Sequence, residues 1–233
     1  MQRILLPGGD KQLEWFSQSV NLEGKSILVC GANLAPAVEE LISFKPGRIE
    51  FILPDYESLM NANLYFSEKN IIPKMMDFEV TDFENDEFDF IYAQASVSGF
   101  NRKKIIKEFK RILKPSGIIC VGEIILKHPE YPQFIEEILD NSDIEALTVE
   151  ELKNFYTSRK FEVVKEADLS STLKEFYLQV RKHSEEVKED LTESEKSYYK
   201  KILKKASHEA NAFLEFGADK FIGYQTLILK MGD

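Results

Sequence analysis

The sequence predicts an α/β fold built on one sheet of about seven strands, and three observations predict it. Through the first half, short apolar runs alternate with stretches of helical periodicity, the pattern of successive βαβ units around a parallel sheet. The run at 118–126, IICVGEIIL, is apolar almost throughout, as a strand buried on both faces has to be. Two more strand-like runs, at 161–165 and 221–230, follow in a second half that is otherwise helical in pattern.

The elements follow in order. A short helix is expected at 12–20, just after Gly8 and Gly9. Residues 26–31 are β-branched and apolar and end at Gly31, the first strand. A helix at 36–44 places Val38, Leu41 and Ile42 on one face, and Lys45, Pro46 and Gly47 turn the chain back. Residues 49–53 form the second strand. Residues 56–70 form a helix on Leu59, Met60, Asn63 and Leu64, and 71–77 a short third strand. The acidic stretch 81–87 loops into a fourth strand at 88–95. In 102–114, Ile105, Ile106, Phe109, Ile112 and Leu113 recur at helical spacing and give a firm apolar face. Lys114-Pro115-Ser116-Gly117 carries Pro and Gly where a four-residue turn favours them, and it feeds the strand at 118–126.

In the second half, Thr148 with Glu151 and Thr192 with Glu195 both have capping-box spacing, so each opens a helix. The first carries Leu152, Phe155 and Tyr156 and leads into the strand at 161–165. Residues 170–189 place Leu173, Phe176, Tyr177, Val180 and Val187 on one helical face, expected to pack inward. A last helix runs from 193 to 216 and stops at Gly217. The helices near 130–140 and 170–216 are expected as a lid over the C-terminal edge of the sheet. With no repeat or low-complexity linker, 1–233 reads as a single domain.

Composition narrows the function. The 233 residues are 43% apolar and 12% aromatic, enough for one large domain. No apolar run approaches the ~18 residues of a membrane span, and the start, MQRILLPGGD, lacks the build of a signal peptide. A soluble, cytoplasmic protein is expected. The net charge of −10 argues against a nucleic-acid partner, which needs clustered cations. One helix does carry Arg102, Lys103, Lys104, Lys107, Lys110, Arg111 and Lys114; it is read as a solvated face. Cys30 and Cys120, each inside an apolar run and with no CxxC pair, are read as buried structural thiols. The acidic run Asp82, Glu84, Asp86, Glu87 and Asp89 has no metal-ligand spacing and reads as a solvated turn, so no metal is expected. His128 follows the fifth strand, at the end of the sheet where open α/β folds bind ligands; it is either a general base or a surface residue. His183 and His208 sit among charged residues on late helices.

The most informative stretch is KSILVCGANLA, 25–35, a buried strand running into a tight loop of the nucleotide-cofactor kind. The second is KEFKRILKPSGIICVGE, 107–123, a helix, turn and strand. On these segments the chain resembles a class I S-adenosylmethionine-dependent methyltransferase, of the methyltransferase type 11 or ubiquinone-methyltransferase-like kind. The resemblance runs from about Gly8 to Val164 and more loosely to the end. It implies a doubly wound, seven-stranded, mostly parallel sheet of Rossmann-like methyltransferase fold with a helical lid. It implies that 1–126 bind S-adenosylmethionine, while 127–233 supply the lid and the last two strands. The activity implied is methyl transfer to a small-molecule acceptor, with neither nucleic acid nor membrane as partner and a homo- or hetero-oligomer left open.

The resemblance also implies cofactor-binding residues: Gly31, Ala32 and Asn33 in the loop, Leu53 and Asp55 after strand two, Asp77 and Phe78 after strand three, and Gln94 at the end of strand four. The family's pattern is kept only in part. Val29 stands in the place of an acidic residue, and Gly31, Asn33 and Ala35 in the places of three glycines. Glycine permits positive φ and close backbone approach, and Asn is the next most tolerant residue of positive φ. Leu53 stands where an acid would hold the ribose hydroxyls; Asp55, two residues on, either reaches the ribose or caps the next helix. Asp77 either accepts from the adenine amino group or is an ordinary loop carboxylate. Strand four ends at Ala93, Gln94 and Ala95, where methyl group and acceptor would meet. It carries no Asn-Pro-Pro-Tyr motif and no acid–base dyad, so no catalytic residue is assigned. The degenerate loop keeps a second reading open: a methyltransferase-fold protein with lost or weakened cofactor binding, serving as a scaffold or regulatory partner.

Overall fold

A computed structural model describes residues 6–69, 71–190 and 193–232, with the side chains of all of these except 187–190 and 193–203. The strands are β1 (Ser26–Cys30), β2 (Arg48–Leu53), β3 (Lys74–Met75), β4 (Phe88–Gln94), β5 (Leu113–Leu126), β6 (Leu147–Thr148), β7 (Phe161–Asp168) and β8 (Ile222–Met231). They form one sheet in the order β3-β2-β1-β4-β5-β8-β7, with the two-residue β6 beside the end of β5. Every pairing is parallel except those of β8, which runs antiparallel to both β5 and β7. The expected path of seven strands is therefore present, and β6 is an addition. Strand order reverses between β1 and β4, and in open α/β sheets the crevice at such a switch point is where ligands bind.

The helices are α1 (Gly9–Ser19), α2 (Ala35–Ser43), α3 (Tyr56–Tyr65), α4 (Arg102–Ile112), α5 (Gln133–Asn141), α6 (Val149–Thr157), α7 (Leu173–Asp190) and α8 (Glu193–Leu214). Alternation along the strands sorts side chains to two faces. Ile27, Val29, Phe51, Phe90 and Tyr92 join one core, with Phe16 of α1 and Val38 of α2. Leu28, Cys30, Ile91 and Val121 join the other, with Phe109 of α4 and Tyr156 of α6. A third core unites Leu126 and Tyr224 of the sheet with Ile135, Leu173, Tyr177 and Phe213. The expected inward packing of the helix after 170 is present: Tyr177 is buried, and Phe176 and Val180 pack half-buried against this core.

Several expectations are corrected. The third strand shrinks from 71–77 to Lys74–Met75, because it lies at the sheet edge with a single partner. The helix expected over 56–70 ends at Tyr65 and buries Ala62, with Leu59 half-buried; Met60 and Leu64 face outward. The residues expected to turn at 114–117 lie within β5, where the register jumps from Phe88↔Leu113 to Phe90↔Ile118. They bulge out opposite Asp89, with Ser116 at φ 59°. The strand expected at 161–165 extends to Asp168. Residues 170–172 form a turn of 3₁₀-helix before α7. The Thr148–Glu151 capping box is complete, with both reciprocal bonds made; the one expected at Thr192 and Glu195 lies outside the described residues. Gly217 adopts φ 82° just past α8, the left-handed geometry that favours glycine. Both cysteines are buried and unpaired, and burial pushes their thiols up. Among the described residues no helix is long and apolar enough to cross a membrane.

Candidate functional site

The loop between β1 and α2 lies at the C-terminal edge of the sheet, at the switch point. Gly31 has φ +141°, and a Cβ built on it would stand 3.0 Å from Leu34 Cδ1 and 3.1 Å from Ser96 Cβ. Glycine is needed there for conformation and for close approach. Asn33 takes φ 59°, the left-handed turn for which Asn is suited. No side chain caps α2, whose first turn contains Pro36, so its leading amides lack an internal side-chain acceptor. Ser96 Oγ donates to the Cys30 carbonyl at 2.9 Å and ties the loop after β4 to the end of β1. Ala32 sits between Gly31 and Asn33, half-buried.

At the end of β2, Leu53 is fully buried in the core with α2 and α3. Asp55 is the N-cap of α3: its Oδ1 accepts from the Ser58 amide at 2.8 Å and its Oδ2 from Ser58 Oγ at 3.0 Å. Past β3, Asp77 is exposed, and its Oδ1 accepts from the Glu79 amide at 2.8 Å. Phe78 beside it is buried in the core with Phe83 and Phe88.

At the end of β4, Gln94 is buried and its polar atoms are engaged by protein. Its Nε2 donates to the carbonyls of Pro7 and Gly9, both at 2.9 Å, and its Oε1 accepts from Tyr92 OH at 2.7 Å. Next to it, Gln12 of α1 donates from Nε2 to the Ala93 carbonyl at 3.2 Å and accepts on Oε1 from Tyr224 OH at 2.6 Å. Gly122 makes room for this group: a Cβ there would fall 2.0 Å from both Gln12 Oε1 and Tyr224 OH. The Gly8 amide donates to Thr172 Oγ1 at 3.0 Å, joining the same segment to the turn that precedes α7. The result is a strap, residues 7–9, held across the end of β4. Nothing local marks this network, since Gln94 lies 87 and 85 positions from its two carbonyl partners.

A second network escaped sequence reasoning. Arg102, read as part of a solvated basic face, is only 1% exposed. Its Nε donates to Glu123 Oε2 at 2.7 Å, and its other nitrogens reach the Glu145 carbonyl and carboxylate. Glu123 is fully buried and also accepts from Tyr156 OH; burial and then that carboxylate push the phenol up. The Glu145 amide donates to Ser98 O at 2.8 Å, and Ser98 Oγ accepts from the Ile124 amide at 3.2 Å, which fixes the loop after β4. The one available signal was Glu123 itself, a lone acid in an apolar strand. On the rest of the basic face Lys104 pairs with Glu79 and Arg111 with Glu108, while the helix ends at Ile112 and Lys114, expected on it, lies in β5.

His128, His183 and His208 are exposed. The acidic run loops into β4: Glu87, just before the strand, pairs with Arg48, and Asp89, within it, with Lys114. Among the described residues no cluster of His, Cys, Asp or Glu could hold a metal ion.

Comparison with known proteins bears on this arrangement. Residues 37–121 match the model of a methyltransferase domain family; no curated protein matches the sequence. Among solved structures, one is assigned as a sarcosine dimethylglycine methyltransferase from Galdieria sulphuraria. It superposes with a TM-score of 0.77 at 17% identity, over 96% of this chain and 85% of that one. Phosphoethanolamine N-methyltransferase 2 of Haemonchus contortus, in complex with phosphomonomethylethanolamine and S-adenosylhomocysteine, gives 0.79 at 15% identity. That match covers 100% of this chain and 55% of the other. The cyclase SpnF gives 0.75 at 16% identity, over 96% and 80%.

Proposed function

We propose that this chain, which carries a methyltransferase domain of the class I S-adenosylmethionine-dependent family, transfers a methyl group from that cofactor to a small-molecule acceptor. The match of the methyltransferase-domain model over 37–121 carries the reading. The fold supports it without deciding it, since one fold serves many chemistries and the structural neighbours include a cyclase.

The residues present fit the cofactor over most of its length. Gly31 leaves open the space that any Cβ would fill against Leu34 and Ser96, and α2 begins without a side-chain cap. A carboxylate or polarised group placed there meets backbone amides and the positive end of a helix. Asp77 keeps Oδ2 outside its turn bond, available to accept from an adenine amino group. Phe78, being buried, supports the loop from beneath. Gln94 acts by holding the strap at 7–9 over the end of β4.

Bound there, S-adenosylmethionine supplies an electrophilic methyl group on a sulfonium. The chain's own contribution is placement: the strap and the loop at 95–101 are both fixed by buried hydrogen bonds. An in-line displacement gains most of its rate from such positioning. The neighbouring structures hold phosphomonomethylethanolamine in one case and a geranyl diphosphate analogue in another; a small acceptor is the reading carried over here. Two buried, unpaired thiols fit a reducing compartment such as the cytoplasm.

Calorimetric titration with S-adenosylhomocysteine tests the proposal. Binding with Kd in the micromolar range, on the order of −8 kcal/mol, is the expected result. Gly31→Val should abolish it while the far-ultraviolet circular dichroism is retained. No binding at millimolar ligand would overturn the reading and leave a scaffold in its place.

A further inference from the structure

Resting on that methyltransferase reading and deepening it, we infer that the site accepts its adenosyl cofactor without a carboxylate on the ribose, and therefore does not distinguish ribose from 2′-deoxyribose. In nucleotide sites of this architecture an acidic residue about 20 positions past the glycine loop hydrogen-bonds the ribose 2′-hydroxyl. Counting from Gly31, the position at the end of β2 is Leu53, 22 residues on. Its side chain is fully buried among the residues packed under α2 and α3. Pro54 follows and has no N–H to offer.

The next acid along the chain is Asp55, and it is committed elsewhere. Its two carboxylate oxygens accept from the amide and the hydroxyl of Ser58, and its backbone is extended at φ −149°, ψ 166°. That is the geometry of an N-cap whose side chain turns back along its own helix. A carboxylate swung away toward a ribose would give up both bonds and leave the first turn of α3 uncapped. Asp77, past β3, is held at one oxygen by the Glu79 amide and belongs to the adenine end of the reading.

The ribose hydroxyls then meet backbone and solvent, and the affinity comes from the Gly31 loop and the adenine end. Sites that hydrogen-bond a substrate hydroxyl reject the analogue lacking it by factors of about 10⁴ or more, because their own polar groups are left unpaired. A site with no such group has nothing to leave unpaired.

The test is calorimetry on the full chain with S-adenosylhomocysteine and its 2′-deoxy analogue. Equal affinities, within about threefold, are expected. An analogue that binds more than about tenfold weaker overturns the inference while leaving the methyltransferase reading standing. Asp55→Asn supplies the second arm, since Asn caps a helix as well as Asp. Its affinity for S-adenosylhomocysteine should stay within about twofold of wild type, and a tenfold loss with unchanged circular dichroism would assign Asp55 to the ribose. If neither ligand binds, the methyltransferase reading falls and takes this inference with it.

Discussion

Two buried polar networks meet the ends of β4 and β5 from opposite faces of the sheet, and they are built of different chemistry. On the α1 face every member is neutral and the bonds run in two short chains: Tyr224 donates to Gln12, which donates to the Ala93 carbonyl, and Tyr92 donates to Gln94, which donates to the carbonyls of Pro7 and Gly9. On the α4 face the centre is an ion pair, Arg102 with Glu123, at 1% and 0% exposure, completed by Tyr156 and Glu145. The first anchors the strap at 7–9, the second the loop after β4. Both segments that frame the candidate site are thus fixed in advance, but at different risk. A neutral network short of one partner leaves an unpaired dipole; a charged one leaves an unpaired charge in a low-dielectric interior. Guanidinium suits the second place because its fork reaches several acceptors at once.

The contrast predicts an order of effects. Glu123→Ala leaves the buried Arg102 with only the exposed Glu145 as counter-charge and Tyr156 OH without its acceptor, and should cost about 3–5 kcal/mol in urea unfolding. Replacing both partners at once, Arg102→Met with Glu123→Leu, should recover most of that loss. A loss below about 1 kcal/mol in the single variant would mean that water reaches the pair. Gly122→Ala comes next. Its methyl would stand 2.0 Å from Gln12 Oε1 and Tyr224 OH, and such overpacking costs about 1–3 kcal/mol. Tyr224→Phe removes the donor to Gln12 Oε1 together with the hydroxyl's contact with the Ala95 amide, and should cost about 1–2 kcal/mol. If it matched Glu123→Ala, the distinction between the two faces would collapse.

Much of this architecture is legible in the sequence, and the reasons are physical. Parallel strands buried on both faces have to be nearly continuous apolar runs, so β1, β4 and the core of β5 announce themselves. The 114–117 turn chemistry also survives, though it serves as a bulge inside β5 rather than as a link to it. Edge elements are harder to read. Ile72 is 79% exposed although its apolar surroundings suggested a strand, because a strand with one neighbour is defined by pairing and not by burial. In the loop after β1, the positive φ of Gly31 and Asn33 is readable because backbone conformation selects residue type. The roles of Gln94 and Arg102 are not. Their partners lie up to 87 and 43 positions away, and nothing in an isolated Gln or Arg tells a solvated side chain from a buried clamp. Asp55 was a choice between ribose and cap, and the Ser58 bonds place it at the cap.

The smallest effect is expected at the opposite end of β4, where Asp89 shows what a charge does when it is only partly withdrawn from water. Burial alone would raise its pKa. The hydrogen bonds from Lys114 Nζ at 2.8 Å and from the amide and hydroxyl of Ser26 at 2.9 and 2.7 Å outweigh it and bring the carboxyl from 3.8 down to about 2. A folded-state pKa below the unfolded one means that the native state holds its proton less tightly. The contribution is therefore present in full above pH 3.8 and fades as pH falls toward about 2. With the Lys114 side chain 40% exposed, the pair resembles a surface salt bridge, worth about 1 kcal/mol or less. Asp89→Asn should accordingly lower stability slightly at neutral pH, and the gap between variant and wild type should close as melting is followed into acid. A gap that stays constant down to pH 2 would mean that the loss comes from packing in the bulge at 114–117 and not from charge. One that widens with acid would reverse the sign of the shift and remove Asp89 from the groups that stabilise this edge of the sheet.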